Sequence, residues 1–319
     1  MQADMARRIG IDLGGSKTEI IALDEHGATL LRRRVASARD DYAATVAMIV
    51  ALVEAAEAEL GQACSVGIGM PGAESQLSGL IKNANSTWLN GRPLRADLER
   101  ALQREIRLAN DANCFALSEA SDGAAAGASV VFGVILGTGV GGGIVVNGQV
   151  LHGANGIAGE WGHNCLPPGA VRGEADDSAS PLRNASLSRE PHCYCGRHAC
   201  VETYLSGPSM AADYARNGGE VLDARTIAAR AAAGDARCEA TLQRYEARLA
   251  FALAQVINVL DPDVIVLGGG LSNLERLYAN VQAQWGAHVF SDAVRTRLLR
   301  NTHGDSSGVR GAAWLWPER

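Results

Sequence analysis

The chain has 319 residues, long enough for two packed domains, and its 47% hydrophobic content, 20% charged content and net charge of -6 are those of an ordinary globular protein. No basic run is concentrated enough to track a nucleic-acid backbone, and no apolar run approaches the ~20 residues of a membrane span. MQADMARR is not followed by an apolar segment ending in a cleavage site, so no signal peptide is expected. The seven cysteines are odd in number and clustered, which favours a metal site over disulfides and a cytoplasmic location.

Arg8 to Leu13, RIGIDL, predicts a strand that ends in the turn Gly14-Gly15-Ser16-Lys17. Two further strands follow, Thr18 to Leu23 and Ala28 to Val35. A hairpin at a Gly-Gly turn converges backbone N–H groups on an anion. Asp12 and Lys17 flank it, as suits Mg-nucleotide phosphates: the carboxylate acts through the metal's water shell, the ammonium by direct charge. Asp40 to Leu60 predicts an amphipathic helix with Ala43, Val46, Ala47, Val50 and Val53 on its apolar side. Ser65 to Met70 is a buried strand. The loop Ile81 to Gly91, IKNANSTWLNG, offers amides and an aromatic face to a sugar, or else ordinary turn residues. After a helix over Leu94 to Glu105 and a strand from Ile106, Asp111 falls at a strand-to-helix junction. There it is either an N-cap or a general base for a substrate hydroxyl.

Ser129 to Leu136 is a strand running into GTGVGGG. Gly137, Gly139 and Gly142 match G-x-G-x-x-G, but a strand follows instead of the helix that a dinucleotide fingerprint requires. The segment echoes the beginning of the chain: strand, glycine turn, strand, turn, strand. Two related halves are implied, each offering a phosphate-binding hairpin to one cleft, with Thr138 adding a hydroxyl donor. Leu166 to Pro191 predicts a mobile surface loop. Beyond it, Cys193, Cys195 and Cys200 fall within eight residues and, with His163, make a complete tetrahedral zinc set bracketed by Glu160 and Glu202. His192, His198 and Cys165 compete for the fourth position; His163 is preferred because it draws Glu160 towards Glu202. With four protein ligands, the zinc would be structural. Helices are predicted over Gly207 to Asn217, Asp223 to Ala233 and Asp235 to Leu260. The apolar strand Val264 to Leu267 then opens through Gly268, Gly269 and Gly270 into another helix, with a last helix over Val309 to Trp316.

IGIDLGGSK, LANDANC, ILGTGVGGG, GEWGHN, CYCGRHACVE and VIVLGGGLSN together resemble the sugar kinases of the ROK (repressor, ORF, kinase) family, and the likeness covers nearly the whole chain. NANSTWLNG, GEWGHN and HGDSSGVRGAAWLW are similar to bacterial fructokinases (manno(fructo)kinases) in particular. The resemblance implies an α/β chain with the two-domain actin-like ATPase (ribonuclease H-like) fold and an interdomain cleft. Residues 1–124 would form a smaller N-terminal domain and residues 125–304 a larger one with the zinc-binding loop; the C-terminal helix, residues 305–319, would pack back on the first.

The same resemblance implies site residues. Asp111 would be the catalytic base. Asn110, Asp111, Glu160, His163 and Glu202 would line the sugar site, and His163, Cys193, Cys195 and Cys200 would bind Zn2+. Mg2+ and ATP would be held by Gly10, Ile11, Asp12, Leu13, Gly14, Gly15, Ser16 and Lys17 and by Leu136, Gly137, Thr138, Gly139, Val140, Gly141, Gly142 and Gly143, with Gly268, Gly269 and Gly270 on the adenosine side. Ser16 stands where the family usually has Thr and keeps the hydroxyl. Ala199 stands where it usually has glycine, which strains the knuckle if φ is positive there. The implied reaction is phosphorylation of D-fructose to fructose 6-phosphate by an ATP:hexose phosphotransferase, with N-acetylglucosamine kinase and glucokinase as alternatives. A homodimer is expected, without nucleic-acid or membrane partners. The family also contains sugar-responsive repressors, but the first strand begins at Arg8 and no helix-turn-helix is expected ahead of it.

Overall fold

The computed structural model describes residues 7–166 and 190–316, the side chain of Asp305 apart, so the loop expected over Leu166 to Pro191 lies, except for its ends, outside the described residues. In chain order the first elements are strands β1 (Arg8–Leu13), β2 (Lys17–Leu23) and β3 (Thr29–Ala36), helix α1 (Tyr42–Leu60), strands β4 (Ser65–Met70), β5 (Ala73–Glu74) and β6 (Ile81–Lys82), helix α2 (Leu94–Leu102), strand β7 (Ile106–Asn110) and helix α3 (Asp111–Ser121). Strands β8 (Val130–Leu136), β9 (Val140–Val146) and β10 (Gln149–Val150) follow, then helices α4 (Glu202–Leu205), α5 (Gly207–Arg216), α6 (Ala224–Ala232) and α7 (Ala236–Leu260). Strand β11 (Val264–Gly268), helix α8 (Arg276–Trp285), strand β12 (Arg297–Arg300) and helix α9 (Ser307–Trp314) complete the chain.

Two five-stranded sheets repeat one plan, β3-β2-β1-β4-β7 and β10-β9-β8-β11-β12, so the echo in the sequence is an echo of topology. In the first, β1 pairs antiparallel with β2 and parallel with β4, and β4 pairs parallel with β7. β1 and β4 are buried along nearly their whole length, as inner strands must be when both faces are covered. β3 is an edge strand, mostly exposed, and its arginines Arg32 and Arg34 close on the buried carboxylate of Glu19.

The chain divides into two compact units: Met1–Gly133, Gly143–Gly159 and Asn301–Arg319 form one, Val134–Gly142 and Glu160–Arg300 the other. In the first unit, Ile9, Ile11, Val66 and Ile68 from the sheet meet Ile49 and Val53 of α1 and Leu94 and Leu98 of α2, all fully buried. Each such side chain contributes roughly 1.5–3 kcal/mol. The fully buried residues of α1 are Thr45, Ile49, Val53 and Ala56; of the stripe expected from the sequence, Val53 is among them, Val46 and Val50 pack partly buried against the core, and Ala43 and Ala47 are exposed. Thr45 can be buried because its hydroxyl donates to Asp41 O and accepts from Trp88 Nε1. Asp41 caps the start of α1 through Ala44 N, and Gly61 (φ 70°) ends it.

Helix α9 lies in this first unit and packs against β1, β4 and α3 at distances that only glycine permits. A Cβ on Gly67 would stand 1.9 Å from Ala312 O, and one on Gly311 1.6 Å from Cys114 O. The contact is completed by carboxylates at the C-terminal end of α3. Glu119, fully buried, accepts from Ala124 N, Thr302 N and Ser307 Oγ at 3.0, 3.0 and 2.8 Å. Asp122 pairs with Arg310, accepts from Trp314 Nε1 and lies 2.9 Å from His303 Nε2.

In the second unit, α7 buries Leu242, Tyr245, Leu249, Leu253 and Ile257 along one side, and Asp213 of α5 is paired with Arg244 and Arg248. Tyr245 donates to Leu205 O at 2.9 Å and so anchors the end of α4. The hairpin β5–β6, the short helix α4 and strand β12 were not legible as elements; each is four residues or shorter. Among the described residues no helix is long and apolar enough to cross a membrane.

The His303–Asp122 pair makes stability depend on pH. The hydrogen bond that His303 donates to Asp122 raises the pKa of His303 above its ordinary 6.5, against the opposing effect of burial. Burial pushes Asp122 up, but His303 and Arg310 outweigh it and leave the carboxyl below its ordinary 3.8. The contribution of His303 is complete below 6.5 and is lost as pH rises through its raised value; that of Asp122 is complete above 3.8 and is lost as pH falls through its lowered one. His303→Asn is predicted to cost about 1 kcal/mol near pH 6 and progressively less as pH rises through the raised pKa of His303, read from melting curves. A cost that does not change with pH would contradict an ionised pair.

Candidate active site

Two backbone bridges, Cys165 to Cys200 and His192 to His198, draw the segment after Glu190 into a knuckle. Its tip is a tight turn in which Cys193 N donates to Arg197 O and Gly196 N to Cys193 O. Val201 N donates to Asn164 O, which brings the knuckle beside the short turn Trp161–His163. One donor atom each from His163, Cys193, Cys195 and Cys200 then lies within 4.8 Å of the others. His163 Nδ1 is 3.6 Å from Cys193 Sγ, and Cys195 Sγ is 3.6 Å from Cys200 Sγ. A tetrahedron with metal–sulfur bonds of ~2.3 Å has sulfur–sulfur edges of ~3.8 Å, so the spacing suits zinc and leaves no open position. The competing donors fall elsewhere: the rings of His192 and His198 pack on each other at 5.0 Å, and the Cys165 thiol turns to Leu166 O.

Hydrogen bonds from Arg197 hold the Cys195 thiol down at about 6, while burial pushes Cys200 up to about 12. A divalent metal takes such donors as thiolates and releases their protons. The position in question, Ala199, is buried with φ at 58°. Alanine there stores left-handed backbone strain that glycine would not. Ala199→Gly is therefore predicted to stabilise the protein by about 1 kcal/mol, measured as a raised melting temperature with metal content unchanged. A lowered melting temperature would show that the lost methyl outweighs the relieved strain.

Glu160 and Glu202 stand at the two ends of this assembly. Glu160 is exposed. Glu202 opens α4 and points its Oε2 at Val140 N, 3.0 Å away. The glycine turn before β9 makes room for it: a Cβ on Gly139 would meet that oxygen at 2.5 Å. The same turn carries Trp161, whose Nε1 donates to Gly141 O at 3.0 Å, and receives Gly207 N on Gly137 O at 2.8 Å. A Cβ on Gly162 would lie 2.2 Å from Val140 O. Gly137, Val140 and Gly141, which the family resemblance assigns to ATP, hold the knuckle and its carboxylate in the structure. β9 leaves this turn as a strand, as the rejection of the dinucleotide fingerprint requires. Gly269 (φ 78°) packs against Leu136 O, where a Cβ would come within 2.5 Å, and Gly268 and Gly270 adjoin it.

Tyr194 is a neighbour the sequence reading passed over. Its hydroxyl is 3.0 Å from His163 Nε2, and the two rings meet edge to face at 5.2 Å. The only signal in the sequence is an aromatic residue inside Cys-x-Cys.

The first unit carries the other candidates. Gly14 N donates to Lys17 O, closing the first glycine turn, with Gly15, Ser16 and Lys17 exposed. Asp12 faces Glu19 across the β1–β2 pair. Burial raises Asp12 to about 6, the charges of Asp111 and Glu19 add to the effect, and Arg34 opposes it. Asp12 and Asp111 are therefore close enough to repel one another. The cap of α3 belongs to Asn110, not Asp111: Asn110 Oδ1 accepts from Ala112 N at 2.9 Å and its Nδ2 donates to Gly72 O. Asp111 is the first helical residue, and its Oδ1 also accepts from Ala112 N at 2.8 Å. In the loop Ile81 to Gly91, Trp88 packs against the core and Asn90 closes on both backbone groups of Ala84, so these two are structural turn residues.

Duplicated sheets, a glycine turn flanked by Asp12 and Lys17, and the His–Cys knuckle define a sugar kinase with the actin-like ATPase fold. The structure superposes on the ROK hexokinase of Thermus thermophilus with a TM-score of 0.83, at 29% identity over 97% of each chain. It superposes on a ROK family glucokinase of Streptomyces griseus, solved with glucose and AMPPNP, with a TM-score of 0.71, at 26% identity over 97% of this chain and 98% of that one. An N-acetyl-D-glucosamine kinase of Yersinia pseudotuberculosis is 40% identical over 306 residues, 96% of this chain and 97% of that protein. The chain belongs to the ROK family, whose model matches residues 8–319.

Proposed function

We propose that the protein transfers the γ-phosphoryl group of Mg-ATP to N-acetyl-D-glucosamine. The observation that carries this choice of sugar is the 40% identity, over 96% of the chain, with a relative of that name. The fructose reading rested on short motifs, of which NANSTWLNG supplies packing and turn contacts through Trp88 and Asn90. Fructose therefore becomes the second candidate.

In this reading Asp111 accepts the proton of the attacked hydroxyl as its oxygen bonds to phosphorus and the bond to ADP breaks. The resemblance to the family points to the 6-hydroxyl. The position of Asp111 at the start of α3 supports the role, because the helix N-terminus fixes an ionised carboxylate in place. Asn110, Glu160, His163 and Glu202 are proposed to hold the other sugar hydroxyls. Asp12, Lys17 and the glycine turns Gly10 to Lys17 and Leu136 to Gly143 would take Mg-ATP, with Gly268 to Gly270 on the adenosine side. Zinc would be held by His163, Cys193, Cys195 and Cys200, with a closed shell that supplies a fixed knuckle.

A coupled assay over N-acetylglucosamine, fructose, mannose and glucose tests the reading. The largest kcat/KM is expected for N-acetylglucosamine, and a larger value for fructose would restore the rival sugar. Asp111→Asn is predicted to lower kcat by about 10²- to 10⁴-fold with little change in the melting temperature; near wild-type turnover would remove Asp111 from the base role.

A further inference from the structure

Ser86, in the loop Ile81 to Gly91, is only 2% exposed. It opens the single turn Thr87–Leu89, where a serine oxygen ordinarily caps a backbone N–H, yet its side chain makes no such bond. Among the described residues its Oγ is buried without a hydrogen-bond partner, and a buried hydroxyl left unpaired costs free energy. The loop that carries it is fixed: Leu89 is fully buried, and Asn90 bonds to both backbone groups of Ala84. The hydroxyl lies against the first glycine turn, where a Cβ on Gly15 would stand 3.4 Å from Oγ. Gly15 takes no positive φ, so the backbone conformation alone does not call for glycine there. Its neighbours in the turn are bonded: Ser37 Oγ donates to Gly14 O at 2.7 Å, Ser37 N to Ser16 O at 3.1 Å, and Gly14 N to Lys17 O at 3.1 Å. The N–H and carbonyl of Gly15 have no such partner among the described residues.

We propose that Ser86 is a positioning residue of the nucleotide site: when the glycine turn takes a phosphate, the Ser86 hydroxyl donates to the carbonyl of Gly15 and so turns the N–H of Ser16 towards the phosphate oxygens. The inference rests on the sugar-kinase reading above. A trans peptide sets its C=O and its N–H on opposite sides. Drawing Gly15 O inward onto a fixed, buried donor therefore aims Ser16 N–H outward, and glycine leaves that peptide free to rotate. Converging N–H groups are what hold an anion at such a turn. The unpaired hydroxyl is then a cost of the nucleotide-free state that binding offsets. In the second unit a polar side chain behind a glycine turn already fixes one peptide: Glu202 Oε2 lies against Gly139 and accepts from Val140 N.

The test uses Ser86→Ala, Gly15→Ala and the double variant in the full chain. Melting temperature is read without nucleotide, binding of Mg-AMPPNP and of N-acetylglucosamine separately by calorimetry, and kcat and both KM values by coupled assay. Ser86→Ala should leave the melting temperature unchanged or raised, since the oxygen it removes has no partner. Mg-AMPPNP should bind about 5- to 10-fold more weakly and ATP KM should rise alike, the worth of one neutral hydrogen bond. Sugar affinity, sugar KM and kcat should stay within about twofold. Gly15→Ala should also weaken the nucleotide; because both changes act on one peptide, the double variant should bind Mg-AMPPNP within about twofold of Gly15→Ala. Mg-AMPPNP affinity within about twofold of wild type in Ser86→Ala, or fully additive losses in the double variant, would overturn the inference while leaving the kinase reading intact. A lowered melting temperature in Ser86→Ala, with sugar and nucleotide affinity falling together, would overturn it in favour of a packing role. A wild-type protein that binds no Mg-AMPPNP and phosphorylates none of the four hexoses would overturn the kinase reading, and this inference with it.

Discussion

The convergence of four soft donors on one point is the constraint on which the second unit depends. His163 arrives from one side of a long intervening segment and Cys193, Cys195 and Cys200 from the other. Without a metal, three thiols and an imidazole so close together gain little from one another; with one, the spacing becomes a closed coordination shell. Everything attached to the knuckle inherits that fixed point. Glu202 follows the last cysteine by two residues and reaches Val140 N, while Trp161 and Gly162 lean on the same glycine turn from the histidine side. The turn therefore reads both ways: its missing side chains admit a phosphate in the proposed function and admit the Glu202 carboxylate in the structure.

The first unit solves a parallel problem without a metal. Asp12 and Asp111 must be held near one another although their charges repel, and burial has already raised Asp12. What holds them is close packing. Helix α9 approaches β1, β4 and α3 across glycines, and Glu119 and Asp122 bind its preceding loop and its exposed side. At the start of α3 the Ala112 N–H then donates to Asn110 Oδ1 and Asp111 Oδ1, which gives the Asp111 carboxylate a fixed direction.

Much of this was legible in the chain. The repeated strand–glycine–strand pattern announced two related halves, because apolar runs bounded by glycine turns are local signals. The convergence of His163, Cys193, Cys195 and Cys200 was legible as a candidate donor set because Cys-x-Cys-x4-Cys leaves few alternatives, and the choice of His163 over His192 and His198 agrees with the grouping of the donor atoms. Other features were not local. Glu202 on Val140 and the phenol of Tyr194 on His163 each join residues whose spacing carries no period. The strain at Ala199 was legible only as a departure from a family pattern; its φ of 58° gives the departure a physical content. The preferred sugar was least legible, since a single acetamido group is distinguished by a few contacts and not by a motif.

The central claim is that the metal knuckle serves the sugar and not the nucleotide. Calorimetric titration of N-acetylglucosamine, and separately of Mg-ADP, into zinc-loaded and chelator-stripped protein tests it most directly. The account predicts one zinc per chain in the loaded form, and on stripping a fall of at least about tenfold in sugar affinity, a loss of roughly 1.4 kcal/mol or more, with Mg-ADP affinity within about twofold. Sugar affinity that survives complete removal of the metal, or a chain that is pure and active with no zinc at all, would contradict it.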